Sequence, residues 1–272
     1  MRKLFIYMVI LALCACEVIP ENARLIPTEA DPNGNRTHVL LEFTGFRCVN
    51  CPTAAETART LQSIYGDKLI VVALHPATNP FTQGLYDYTC PAADSVYLFM
   101  GGTASTPFPT GNIDLTQRNE HWFFDHAEWP ATVDEAMKDS VCPTLHVQAE
   151  SDTIERDINI YASCDYYFSV ARDALLALWL VEDSIQGAQA MPDGSANMEY
   201  YHRHVLRAVA DDKPFGIPTS PELMRFHMPL PAACNPDKCT IVGLLLDKYD
   251  YHILQAYETK LDYSDSMSSG DD

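Results

Sequence analysis

The 272-residue chain is poor in positive charge, with 18 Lys and Arg against 37 Asp and Glu and a net charge of −19. Proteins that grip nucleic acid need a basic face to neutralise phosphates, so this balance excludes that class. It also excludes electrostatic docking on anionic lipid. After Leu13 no apolar run is long enough to cross a bilayer as a helix, which takes about 20 residues. There is no internal repeat, P-loop, GxSxG elbow or dinucleotide fingerprint. Cys and His do not fall at zinc-finger spacing. No cofactor is expected on these grounds.

What is present starts at the N-terminus. Met1-Arg2-Lys3 followed by an apolar stretch from Leu4 to Leu13 reads as an export leader. Leu13-Cys14-Ala15-Cys16 resembles a bacterial lipobox, with Cys16 the better acceptor because small Ala15 precedes it. Acyl chains on Cys16 would hold a folded domain at a membrane surface without crossing it. An ordinary cleaved signal with two incidental cysteines is the alternative. Residues 17–36, rich in Pro, Asn, Asp and Glu, read as a tether, and residues 263–272 as a disordered acidic tail.

Nine cysteines are many for this length, and an exported chain permits disulfides. Cys48-Val49-Asn50-Cys51 follows the apolar run Val39–Thr44 and opens the helical pattern Pro52–Leu61. A strand that delivers two cysteines to a helix N-terminus is the layout of a thioredoxin-type site. The positive end of the helix favours a thiolate at the first cysteine. Two intervening residues let the second resolve a mixed disulfide formed on the first. Helix geometry is expected to expose Cys48 and bury Cys51. Cys234-Asn235-Pro236-Asp237-Lys238-Cys239 has the composition of a turn closed by its own bridge. The pairing of Cys90, Cys142 and Cys164 stays open.

The rest of residues 37–140 reads as α/β: strands at His38–Thr44 and Lys68–His75, a helix over 51–65, helical pieces near Ala92–Met100 and Pro130–Asp139, and a Pro-rich entry to a strand at 106–114. From Val141 the pattern changes to short strands at Leu145–Glu150, Asp157–Ala162, Ala174–Val181, Met198–Val209, Leu223–Met228, Cys239–Leu246 and His252–Tyr257. Seven strands over 141–262 predict an all-β, two-sheet sandwich of immunoglobulin-like size. His202 and His204 alternate on one expected strand, a spacing that permits chelation, but a third ligand is not evident and a structural role is the better reading. The aromatic segment 121–126 reads as a contact between the two halves.

Val39–Pro52, Trp179–Ile185 and Tyr201–Arg207 together resemble the outer-membrane-protein-28-related lipoprotein family. The resemblance implies a thioredoxin-like domain followed by a β-sandwich, anchored at the cell envelope on the outer membrane, facing the periplasm or the outside. It implies no settled activity.

Around a thioredoxin-type CxxC, three further groups are sought. Glu42, six residues before Cys48, occupies the place of a buried acid that moves the proton of the second cysteine. Flanking Leu41 and Phe43 permit burial; a water-facing glutamate is the alternative. A cis-proline shapes the peptide-binding edge, and Pro109 fits, with Pro107 as the alternative. Arg47, directly before Cys48, would stabilise a thiolate by Coulomb attraction, or is only a surface residue. The leading expectation is an envelope lipoprotein whose redox-capable Cys48 and Cys51 act on protein thiols or disulfides. The other is a non-enzymatic outer-membrane lipoprotein that binds another envelope protein through its β-sandwich, with Cys48–Cys51 a structural disulfide.

Overall fold

The strand β1 (His38–Phe43) is buried along its whole length. A strand with no wet face must run inside a sheet covered on both sides. The computed structural model, which describes residues 36–139, 143–152, 154–165, 174–220 and 222–263, places it there. The leader, the Cys16 acceptor, nearly all of the tether, Cys142 and residues 264–272 lie outside the described residues.

After β1 come α1 (Cys51–Tyr65), β2 (Leu69–Leu74), α2 (Pro91–Phe99), β3 (Thr110–Ile113) and α3 (Trp129–Ala136). β2 pairs parallel with β1 and β3 antiparallel on its other side. α1 buries Cys51, Ala54, Ala58 and Leu61, one stripe at helical spacing. Small Ala54 and Ala58 let the helix lie close to Leu40, Val71 and Ile113 of the sheet. Pro52 sits in its first turn, and Gly66, at φ +55°, ends it.

The second half is β-rich. It contains β4 (Thr144–Asp152), β5 (Asp157–Asp165), β6 (Ala174–Glu182), β7 (Ile185–Ala190), β8 (Ala196–His202), β9 (Val205–Val209), β10 (Ile217–Pro218), β11 (Met224–Pro229), β12 (Cys239–Asp247) and β13 (Ile253–Tyr263). Alternate residues of β4, from Leu145 to Ser151, point inward, the pattern of a strand with one covered face. β6 instead reads ALLALWLVE without alternation. The reason is that both of its faces are covered. Leu176, Leu178 and Leu180 join a core with Val147, Ile158, Ile160 and Phe226. Ala177, Trp179 and Val181 join another with Leu41, Phe43, Val72, Leu74 and Tyr97 of the first half. β12 divides in the same way, with Ile241 and Leu245 on one side and Val242, Leu244 and Leu246 on the other.

One sheet therefore runs through both halves, in the order β11-β5-β4-β13-β12-β6-β9-β2-β1-β3. The join is β2 to β9, where Ala73 faces Val205 and the Ala73 N–H donates to the His204 carbonyl at 2.7 Å. The expected boundary near residue 140 thus separates two sequence patterns that fold around shared strands. Phe99 of α2 meets Trp122 on its own side of the divide and Phe215 and Tyr251 on the other, so the aromatic contact across the halves is made by Phe99, with the 121–126 segment packed behind it.

The expected single strand Met198–Val209 is two strands. His204 takes φ +54°, the chain reverses, and β8 and β9 pair with different partners. β7, which sequence reading does not predict, forms with β8 a separate two-stranded hairpin. Most of β8 is exposed, so no alternation with a buried face marks it. His202 and His204 do not share a strand.

Candidate functional site

β1 ends at Phe43, and the chain turns before α1 through a loop tied to the rest of the sheet. Thr44 N donates to Leu74 O, Arg47 N to Phe81 O and Cys48 N to Gly45 O, each at 3.0 Å. This sets Cys48 just before α1 and Cys51 in its first turn. Their sulfurs are joined, with the Cα atoms 5.4 Å apart. Each residue is only 2% exposed, which corrects the expectation that Cys48 faces solvent.

The cover comes from the β7–β8 hairpin. The buried Gln189 amide donates to Cys48 O at 2.8 Å and to Ala190 O at 3.0 Å, and Ala190 N donates to Phe46 O at 2.8 Å. Gly187 allows the close approach, because a Cβ there would collide with the Tyr88 hydroxyl. The hairpin is thus fastened to the backbone that carries the disulfide.

Glu42 lies on the central strand, opposite Ala73 and Gly111. It is 4% exposed, and its Oε1 has no hydrogen-bond partner among the described residues. Burial pushes its pKa up to about 8. Glu42 and Cys51 line one cavity of about 430 Å³ under α1, with Arg59, His75, Tyr200 and His202 among the other walls. His75 is 2% exposed, neither ring nitrogen has a hydrogen-bond partner among the described residues, and burial, then His202 and Arg207, push its pKa down to about 3. His202 is pushed down to about 4 by burial, with its Nε2 3.2 Å from Ala188 O. Tyr200 is pushed up to about 12, first by burial and then by the Glu42 charge. At neutral pH the buried groups of the chamber behind the disulfide are therefore a protonated carboxyl, two neutral imidazoles and a phenol, with the charged Arg59 and Glu56 at its exposed side. Of these, Glu42 alone has an acidic proton that leaves near neutrality.

Of the two candidate prolines, Pro109 carries the cis bond, after Phe108. It directly precedes Thr110, which faces Phe43 at the same end of the sheet as the cysteine loop. Arg47 is exposed and donates to Gln83 O at 3.4 Å, so its side chain is engaged at the surface and not with sulfur.

Cys234 and Cys239 are two thiols, which corrects the expected bridge. Cys239 opens β12 directly opposite Glu182 of β6. The turn at Pro236–Lys238 returns Cys234 to the same place. Its backbone is pinned there: Cys234 N donates to Pro231 O at 2.9 Å, and Arg156 Nη2 donates to Cys234 O at 3.0 Å. The Cys239 thiol and the Arg207 guanidinium hydrogen-bond to the Cys234 sulfur, which lowers its pKa, while Cys239 is held well above the usual thiol range. Those contacts satisfy the Cys234 sulfur without a covalent partner. Cys90 is buried nearby, within the field of Arg207.

Sequence reading misses His75, Gln189, Glu182 and Arg207 as site residues. His75 ends an apolar run and carries a faint signal. Glu182 and Arg207 stand inside the two segments Trp179–Ile185 and Tyr201–Arg207 without a reason visible in sequence. Gln189 has no local signal.

A family model described as outer membrane protein Omp28 matches residues 102–264. The match begins beyond Cys48 and Cys51 and includes Glu182, Arg207, Cys234 and Cys239. No curated protein matches the chain. Among solved structures, HBP35 of Porphyromonas gingivalis superposes with a TM-score of 0.68 at 14% identity, over 89% of this chain and 80% of its own. A crystal structure from Agrobacterium tumefaciens superposes with a TM-score of 0.51 at 13% identity, over 85% of this chain and 96% of its own. At those identities the likeness concerns fold alone. A domain of the outer membrane lipoprotein Omp28 from Porphyromonas gingivalis gives 0.34 at 12% identity, over 46% of this chain and 93% of its own, too low to bear on the fold.

Proposed function

The chain belongs to the Omp28 family of outer membrane proteins, and on that premise we propose that it is an envelope lipoprotein, anchored through Cys16, that exchanges protein thiols and disulfides at Cys48 and Cys51. In this reading the first half is a thioredoxin-like unit and the second an immunoglobulin-like sandwich built against it.

The observation that carries the redox reading is Glu42. A buried carboxyl with an unpartnered oxygen destabilises a fold and adds nothing to packing. Placed in the cavity that Cys51 lines, it has a chemical use. An incoming protein thiolate attacks Cys48 Sγ; a bond forms between the two sulfurs and the Cys48–Cys51 bond breaks. Cys51 leaves as a thiolate and takes the Glu42 proton, which leaves a carboxylate. In the second step another substrate thiolate attacks the substrate sulfur of the mixed disulfide. Cys48 is released as a thiolate, and the substrate leaves oxidised. The two electrons pass from substrate thiols to the cysteine pair, and the reverse sequence reduces a substrate disulfide. Pro109 would shape the edge along which the substrate peptide lies.

The second reading is a structural disulfide in a non-enzymatic protein that binds another envelope protein through its β-rich half. The burial of both cysteines beneath the hairpin favours it. The reduction potential of the native protein and an insulin-reduction assay separate the two. Exchange with glutathione in the folded state supports the enzyme. A disulfide that yields only on unfolding refutes the enzyme and leaves the structural role.

A further inference from the structure

Away from the disulfide, three potential metal ligands converge where β6 ends and β12 begins. Glu182, Cys234 and Cys239 are all buried, and one carboxylate oxygen and the two sulfurs lie within 4.8 Å of one another. We propose that these three side chains bind a thiophilic divalent cation of the zinc class, with water in the fourth position.

Placement is the first argument. Cys239 and Glu182 face each other across the β12–β6 ladder, which fixes their side chains on one side of the sheet. Cys234 reaches them over a four-residue return, 235–238, whose turn residue Asn235 is itself tied to the site, its N–H donating to Glu182 Oε1 at 2.8 Å. That bond orients the carboxylate from outside the ligand set, as metal sites require. Glu182 Oε2 has no hydrogen-bond partner among the described residues and stands 3.3 Å from Arg207 Nε. It is the oxygen left to ligate.

Charge is the second. With both thiols ionised, the two sulfurs and Glu182 carry three negative charges against one positive charge on Arg207. A divalent cation brings the group to neutrality, which a buried cluster needs. Two sulfurs and one carboxylate oxygen suit a borderline-soft ion and disfavour calcium or magnesium. Arg207, the cation beside the cluster, also lines a cavity of about 380 Å³ with Cys90, Met228 and Pro231. The ion would clamp the start of β12 and the 230–238 loop to the end of β6, a structural duty independent of Cys48 and Cys51.

The test uses the full mature protein, exposed to zinc, dialysed, and assayed for retained metal with a chromogenic chelator. Cobalt substitution should add a sulfur-to-metal charge-transfer band in the near ultraviolet. Both signals should vanish in Cys234→Ser and in Cys239→Ser, weaken at least ~10-fold in affinity in Glu182→Gln, and persist in the Cys48→Ser/Cys51→Ser double variant. If the serine variants fold poorly, the unsubstituted protein still decides. Zinc should raise its melting temperature, and a chelator should reverse the rise. The proposal is overturned if that protein retains no zinc and gives no charge-transfer band. It is equally overturned if metal is held undiminished without either cysteine, or if peptide mapping of protein isolated from the envelope returns Cys234 joined to Cys239.

Discussion

Among the described residues two cysteine pairs lie close in sequence, and they sit in opposite surroundings. Cys48 and Cys51 stand at a helix N-terminus, are joined, and back onto a chamber whose buried titratable groups, Glu42, His75 and His202, are neutral at pH 7, its charged groups lying toward the surface. Cys234 and Cys239 stand at a strand start, are separate, and lie beside a guanidinium and a carboxylate. Spacing alone does not distinguish the two as disulfide candidates. What differs is the neighbour supplied by distant sequence. An apolar and neutral environment suits a covalent S–S bond, which carries no charge. A charged environment suits separate sulfurs that accept hydrogen bonds or a cation.

The comparison breaks most sharply under cysteine replacement. Cys48→Ser is expected to abolish exchange with small disulfides, whereas Cys234→Ser leaves it intact, as read by glutathione and insulin assays. Loss of exchange in both variants would show that the pairs act as one system.

Next in size is the pH dependence set by the chamber. The Glu42 pKa is about 8 folded against about 4.5 ordinarily. Between those values the folded state holds the extra proton, so this residue's contribution to stability falls as pH rises and levels off above about 8. His75 and His202 act in the opposite sense, with pKa values of about 3 and about 4 against 6.5. Their contribution is complete above 6.5 and is lost as pH falls below it. Glu42→Gln should therefore raise stability by several kcal/mol near pH 8, but little at pH 4.5. It should also slow the release of Cys51 at neutral pH. Denaturant melts across pH 4 to 9 test the first, and a stopped-flow reduction series the second. An unchanged alkaline slope would mean that Glu42 is not the buried acid described.

Gln189→Ala removes the amide that binds Cys48 O. It should cost about 1–2 kcal/mol and speed reduction of the disulfide by dithiothreitol in the folded protein. A disulfide no more reactive than before would show that the hairpin does not control access. The smallest change is expected from Arg47→Ala, within about 0.5 kcal/mol in stability and without effect on exchange rate. A clear drop in rate would restore this residue to the thiolate role that its sequence position suggests.

The local parts of this architecture are legible in the amino-acid sequence. The switch from an apolar run to helical spacing marks β1 and α1 to within a residue or two, and Pro52 and Gly66 punctuate the helix. Glu42 between Leu41 and Phe43 is placed correctly on a central strand. What resists reading is carried by contacts between residues far apart in the chain. Gln189 reaches Cys48 across 141 positions, and nothing near Gln189 announces it. The β8–β9 break hides because Arg203-His204 has no Gly or Pro to mark the reversal. The separate thiols of Cys234 and Cys239 depend on Arg207 and Arg156, neither of which lies in the turn.

The doubly covered strands β6 and β12 make a party wall. Neither half can be lent to another gene by itself, because a cut near residue 140 strips the wall of Leu41, Phe43 and Val72 and bares Trp179, Val181 and Leu244. Damage to the wall is shared in the same way: a void at Trp179 loosens the floor beneath the disulfide as well as the strand that ends in Glu182. A substitution that loosens this wall is therefore expected to be felt at both cysteine pairs.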